Sequence, residues 1–238
     1  LFISNYAWLV LLIVVSLISW FEFFNLTIKI YKNFFLKLVL SVLNFSVLFL
    51  FAYSAYKVRN ESGELIILFI LLVCIFSDVG GYVVGKNVGG KKLTKISPNK
   101  TISGSIGSFL FSLFPIGIYA LFANTTNIDS FKFALEKEVI VGCLIISLIS
   151  QVGDLIISYF KRLAKVKDTG NILPGHGGIL DRIDGIIFAI PSIIYSENTS
   201  NWFLNNKVNL GLDLQGGSYL LLEVETDVLL KEELENIS

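Results

Sequence analysis

Methionine is absent from all 238 residues, histidine occurs once, cysteine twice, and charged residues make up only 16%. Each scarcity excludes something. A single histidine, His176, rules out any metal site built on several imidazoles. The two cysteines, Cys74 and Cys143, lie far apart inside apolar runs, with no metal or redox spacing. They read as small buried hydrophobes rather than as a disulfide or a thiolate cage. A complete translated chain normally opens on Met, and this one opens on Leu1, already inside an apolar run, so an earlier start is expected. That run lacks a basic leader and a small-residue cleavage site, so a cut membrane span is expected rather than a signal peptide. The shortage of charge, set against 54% hydrophobic residues, excludes an ordinary soluble domain.

What is present is a series of apolar runs. Five of them, at about 1–24, 34–56, 65–84, 106–123 and 139–160, are long enough to cross roughly 30 Å of hydrocarbon at about 1.5 Å per residue. A sixth, 186–195, has ten residues and is expected to be a truncated or re-entrant helix. The net charge is zero, but its distribution is uneven. Lys29 and Lys32 follow the first run without an acid, and Lys86, Lys91, Lys92, Lys95 and Lys100 follow the third. The second and fourth loops mix both signs. The excess of lysine and arginine places the first, third and fifth loops on the cytoplasmic side, so residues 86–104 and 161–184 share one face of the membrane. The expected fold is an all-α polytopic membrane protein, a helical bundle with its active site on the cytoplasmic face. A polar, Asn-rich linker at 197–208 then leads to a short β-containing appendage at 209–238, where apolar and polar residues alternate around Gly216-Gly217.

The densest chemistry lies in 158–184, SYFKRLAKVKDTGNILPGHGGILDRID. Lys161, Arg162, Lys167 and Arg182 stand beside Asp168, Asp181 and Asp184, with glycines and His176 between them. Cations and backbone N–H groups bind phosphate oxygens, and carboxylates hold Mg²⁺, so this composition suits phosphate chemistry. Asp181 and Asp184 are spaced i, i+3 and share one face of a helix that starts near Gly178. Such a pair repels itself unless a cation intervenes. Asp154 lies inside an apolar run, one turn from Gln151 and from Ser158, and Asp78 ends another. Acids placed there face a polar cavity or a partner, because a charge near a helix centre costs roughly 2.5–3.5 kcal/mol on insertion scales. Asp154, Asp181 and Asp184 are the expected metal ligands. Ser97, Lys100 and Thr101, in the other basic loop, suit a triphosphate, although the Walker A spacing is absent. The glycines of that loop include Gly81 and Gly85 at G-x-x-x-G spacing, which also suits close helix packing.

Ser158, Lys161-Arg162, Lys167-Asp168, Gly170, Pro174-Gly175-His176-Gly177-Gly178, Asp181-Arg182 and Asp184 form a long pattern that resembles the phosphatidate cytidylyltransferase family, the CDP-diacylglycerol synthases. Gly153-Asp154, Asp78 with Tyr82 and Gly85, and Ser97-Pro98 with Lys100-Thr101 and Gly104 support it. The resemblance covers about 1–195. It departs at Ser103, where an acid is common, and at Gly185, where a serine is common. It implies transfer of a cytidylyl group from CTP to phosphatidate, with Mg²⁺ and a second cation as candidate cofactors. It also implies a multi-pass inner-membrane location, with a homodimer left open and no nucleic-acid partner. In that reading Asp154, Lys161, Arg162, Lys167, Asp168, His176, Asp181, Arg182 and Asp184 carry catalysis, and Ser97, Lys100, Thr101 and Asp78 complete the nucleotide pocket. The stretch 209–224, NLGLDLQGGSYLLLEV, resembles the start of the periplasmic region of SecD. Rival readings are an ion-coupled transporter carrying ions on Asp78 and Asp154, and a translocase accessory without catalysis. The D-G-x-x-A-R pattern of CDP-alcohol phosphotransferases is absent.

Overall fold

A computed structural model of the chain describes residues 4–62, 64–94, 97–123, 137–172 and 177–195. The chain divides into two units, Leu1–Lys207 and Val208–Ser238. The second unit, and with it the expected linker and β-containing appendage, lies outside the described residues.

The described part of the first unit is helical: α1 (Asn5–Ile30), α2 (Phe34–Ser62), α3 (Glu64–Val88), α4 (Ile102–Phe111), α5 (Phe114–Ala123), α6 (Lys137–Leu163) and α7 (Leu180–Tyr195). Helices suit these runs because each backbone N–H and C=O is satisfied within its own segment, as hydrocarbon requires. Four helices, α1, α2, α3 and α6, are long and apolar enough to cross a membrane. Large apolar side chains such as Leu17, Phe21, Leu43 and Phe49 are exposed on α1 and α2, which a lipid surround accommodates and water does not.

The fourth expected span is corrected. Residues 106–123 do not form one helix; α4 stops at Phe111 and α5 restarts at Phe114. Pro115 explains the break, since its ring would strike the Phe111 carbonyl in a continuous helix and it offers no N–H. Ser112 caps the break, with its Oγ donating to the Phe109 carbonyl at 2.7 Å. The sixth run belongs to a helix that starts at Leu180, close to the start expected near Gly178, and so carries Asp181 and Asp184 in its first two turns.

Glycine sets the closest packing. On α3, Gly80, Gly81 and Gly85 face Gly104, Gly107 and Ser108 of α4; a Cβ on Gly107 would stand 2.8 Å from the Gly80 carbonyl. This is the small-residue packing by which membrane helices approach without a hydrophobic drive. Polar side chains add ties between helices. Ser77 of α3 and Ser147 of α6 share a hydrogen bond at 2.7 Å. Gln151 Nε2 donates to Ser147 Oγ at 3.2 Å, and Ser105 Oγ of α4 donates to Gln151 Oε1 at 2.6 Å. Elsewhere the core is apolar, with Ile70 and Val73 of α3, Val58 of α2, Cys143 and Ile146 of α6 and Ala189 of α7 fully buried. Both cysteines are free and buried.

Candidate active site

The site begins where α6 and α7 touch. Gly153 of α6 lies against α7 so closely that a Cβ would stand 2.6 Å from Phe188 and 2.8 Å from the Asp184 carbonyl. In return, Gly185 of α7 lies against Ser150 of α6, where a Cβ would meet Ser150 Oγ. The neighbours of these two glycines are Asp154 and Asp184, so the close approach brings the two carboxyl groups within hydrogen-bond reach of each other. The Gly185 departure from the family pattern therefore has a packing role here. Asp154 also accepts from Ser158 Oγ at 3.1 Å, one turn along α6. Asp184 is buried and its Oδ1 accepts from the Gly185 N–H at 2.8 Å. Burial, and then the charge of Asp154, push the Asp184 carboxyl up to about 8.

The loop between α3 and α4 supplies the cation facing this pair. Backbone bonds from Leu93 N to Lys100 O at 2.8 Å and from Ile102 N to Lys91 O at 3.0 Å close the loop. Thr101 caps α4, accepting from the Gly104 N–H at 3.1 Å. This fixes Lys100 at the mouth of the loop, and its ammonium forms an ion pair with Asp154. Ser97 holds the turn through its carbonyl, which accepts from Lys100 N at 3.1 Å. Asp78 is exposed on α3, with Asp154 and Lys100 as its charged neighbours. Ser103, where the family pattern often has an acid, donates to the Gly89 carbonyl and so ties α4 to the end of α3. The two basic loops therefore meet at one end of the bundle, as the charge pattern predicted.

Asp181 is held differently. Its Oδ1 accepts from Lys161 Nζ at 2.7 Å, and its Oδ2 accepts from the Thr169 and Gly178 N–H groups at 2.7 and 3.1 Å. Burial alone would raise this carboxyl; the Lys161 ammonium and the two N–H groups outweigh it and hold Asp181 below its ordinary value. Lys161 reaches it from the last turn of α6. That helix ends in a Schellman motif, with Val166 N bonded to Lys161 O at 3.0 Å and Lys165 N to Arg162 O at 3.1 Å. Lys165 occupies the left-handed position at φ 55° that glycine usually takes.

A residue absent from the sequence-derived site joins these contacts around Thr169 and Gly178. Glu22 of α1 is buried, and its Oε1 accepts from Ile179 N at 3.1 Å while its Oε2 accepts from Leu180 N at 2.9 Å. Thr169 Oγ1 lies 3.1 Å from Glu22 Oε2 and 3.0 Å from Asp181 Oδ2, so its one proton serves a single carboxylate at a time. Gly170 and Gly178 stand where a Cβ would meet the Glu22 carboxylate. The available signal was an acid inside the first apolar run, the kind of intramembrane charge that marks a function or a partner.

The remaining expected residues frame the site. Arg162, Lys167, Asp168 and Arg182 are exposed around it. His176 lies outside the described residues. Of the three expected metal ligands, the structure gathers Asp154 with Asp184 and gives Asp181 to Lys161, Thr169 and Gly178. Among the described residues, no group of three or more His, Cys, Asp and Glu side chains forms a metal cage. The Asp154–Asp184 pair does fit Mg²⁺, which is commonly held by one or two carboxylates with waters and substrate phosphates filling its shell. Two adjacent acids, one of them buried, are a charge arrangement that a divalent cation relieves.

Comparison with known proteins gives a consistent result. Residues 1–198 match the model described as the cytidylyltransferase family. Residues 202–228 match the SecD/SecF GG motif. A curated phosphatidate cytidylyltransferase of Staphylococcus saprophyticus is 43% identical over 137 residues, 57% of this chain and 50% of the relative. Those of Staphylococcus aureus (strain COL) and Staphylococcus epidermidis are 44% and 40% identical, over 138 and 137 residues, again 57% of this chain and 50% of each relative. The chain spans about half the length of the curated relatives it matches.

Proposed function

The chain belongs to the cytidylyltransferase family, and from that premise we propose that it transfers the cytidylyl group of CTP to phosphatidate, giving CDP-diacylglycerol and pyrophosphate. The observation that carries the reading is the Asp154–Asp184 pair, brought together from two helices with Lys100 against it. The mechanism follows from the charges. A phosphate oxygen of phosphatidate attacks the α-phosphorus of CTP, the bond from that phosphorus to the β-phosphate bridge breaks, and pyrophosphate leaves with the electron pair. The nucleophile is already an anion, so no strong general base is needed. The barrier is the approach of two polyanions. Mg²⁺ bound by Asp154 and Asp184 would supply charge neutralisation at the phosphates. Lys100 and Lys161 carry fixed positive charge beside the carboxylates. Arg162, Lys167 and Arg182, exposed around the site, draw phosphate oxygens from the aqueous side. Asp181 positions Lys161 and holds the Thr169 and Gly178 N–H groups. Thr101 and Ser97 shape the loop that presents Lys100.

The same reading places the two basic loops in the cytoplasm, where CTP is available, and the helices in the plasma membrane, where phosphatidate resides. The decisive assay is pyrophosphate release from CTP by the full chain in mixed micelles with and without phosphatidate. Turnover should need the lipid and Mg²⁺, and Asp154→Asn and Asp184→Asn should each reduce it by two orders of magnitude or more, roughly. Normal turnover in either variant at unchanged Mg²⁺ refutes the assignment. The 202–228 segment, which matches the SecD/SecF GG motif, is read as separate from this chemistry. Deleting residues 202–238 should leave CTP turnover unaltered.

A further inference from the structure

We propose that Glu22 is a positioning residue for the transfer reaction, clamping the first turn of α7 from α1 so that Asp184 stays opposite Asp154; this rests on the cytidylyltransferase reading above. The N–H groups at the start of a helix have no partner within it and need one from outside. In α7 the usual local cap is replaced by a carboxylate from another helix. Glu22 takes the Ile179 and Leu180 N–H groups and the Thr169 hydroxyl, at 3.1, 2.9 and 3.1 Å. Its negative charge also lies at the positive end of the α7 dipole. The fit is tight on all sides. A Cβ on Gly170 or Gly178 would collide with the Glu22 carboxylate. The next residue of α1, Phe23, meets Phe160 of α6 edge to face at a centroid distance of 4.9 Å. The clamp thus links α1 to both helices that carry the acid pair. Asp184 lies one turn beyond the clamped residues, so a shift of that turn moves its carboxyl relative to Asp154.

The test uses the full chain in detergent micelles and two independent readouts. Hydrogen–deuterium exchange reports the clamp directly at residues 179–180. Initial rates with CTP and phosphatidate report its consequence, through the Mg²⁺ concentration giving half-maximal rate and the KM for phosphatidate. In Glu22→Ala, exchange at 179–180 should accelerate. The half-saturating Mg²⁺ should rise roughly 10–100-fold, the usual effect of removing a group that orients a metal ligand, with the KM for phosphatidate unchanged. Glu22→Gln keeps one carbonyl acceptor and should recover part of both effects, and it decides the matter if the Ala variant does not fold. Unchanged exchange overturns the clamp. Faster exchange with an unchanged Mg²⁺ requirement overturns the positioning role and leaves Glu22 purely structural. Wild-type protein without CTP-dependent turnover would sink the functional reading instead, and the exchange comparison would still decide the clamp.

Discussion

Replacing Gly153 with alanine is the most direct test of how the acid pair is assembled. The added methyl points at α7, 2.6 Å from the Phe188 ring and 2.8 Å from the Asp184 carbonyl oxygen. Ordinary contact starts at 3.4 Å, so the two helices must part by about 0.6–0.8 Å (the ring can turn, but the carbonyl is backbone and cannot). Overpacking of this kind costs roughly 1–3 kcal/mol. Alanine returns about 1 kcal/mol through its better helix propensity. The net loss of about 0–2 kcal/mol is survivable for a folded chain. Chemistry is less tolerant, because the displaced carbonyl belongs to Asp184 itself and a misplacement near 1 Å costs on the order of 100-fold in rate. Gly153→Ala should therefore unfold only slightly earlier on heating, while phosphatidate-dependent pyrophosphate release falls by about two orders of magnitude and the Mg²⁺ requirement rises. Gly117→Ala is the matched control, since a Cβ there meets nothing within 4 Å. A Gly153→Ala protein with wild-type rate and wild-type Mg²⁺ dependence would refute the claim that close helix approach builds the site.

Further outcomes follow from the same contacts. Lys100→Ala leaves Asp154 without its ion-pair partner, so it should lower thermal stability by roughly 1–3 kcal/mol; adding Asp154→Ala should restore stability without restoring turnover. Lys165→Gly removes a non-glycine residue from the left-handed position that ends α6, and should raise stability by about 1 kcal/mol in the same thermal melts. Both native cysteines are buried, so single-cysteine labelling works without removing them. Lys92→Cys and Arg162→Cys should react with a membrane-impermeant maleimide from one side of sealed vesicles, and Glu61→Cys from the other. Labelling of Lys92→Cys and Arg162→Cys from opposite sides would contradict the shared site.

How far the sequence could be read depended on which signal each feature leaves. Four spans were legible because hydropathy registers long unbroken apolar runs directly. The fourth expected run misled because its mean apolarity masks Pro115, a single residue whose missing N–H and rigid ring outweigh its neighbours. The start of α7 was legible from the glycines that precede Asp181 and Asp184, but not the carboxylate of Glu22 that satisfies this helix end from elsewhere. Spacing put Asp181 and Asp184 on one helix face, which is a local property. Which partner each would meet is tertiary, and Lys161 with two backbone N–H groups captures the first while Asp154 meets the second. The convergence of the two basic loops was legible from charge alone, since lysine excess sorts loops by membrane side. The clamp was not, because nothing in a local window ties residue 22 to residue 180.

That separation has a consequence for how the protein is made. The partners of Glu22 at Thr169 and Leu180 lie 147 and 158 residues further along the chain. At about 5–20 residues per second, the ribosome delivers them roughly 7–30 s after the acid itself. Throughout that interval the first helix carries a carboxyl whose partners at Thr169, Ile179 and Leu180 do not yet exist. The clamp therefore closes only after residue 180 has been made, and a ribosome stalled before residue 169 would hold an α1 whose Glu22 has none of these partners.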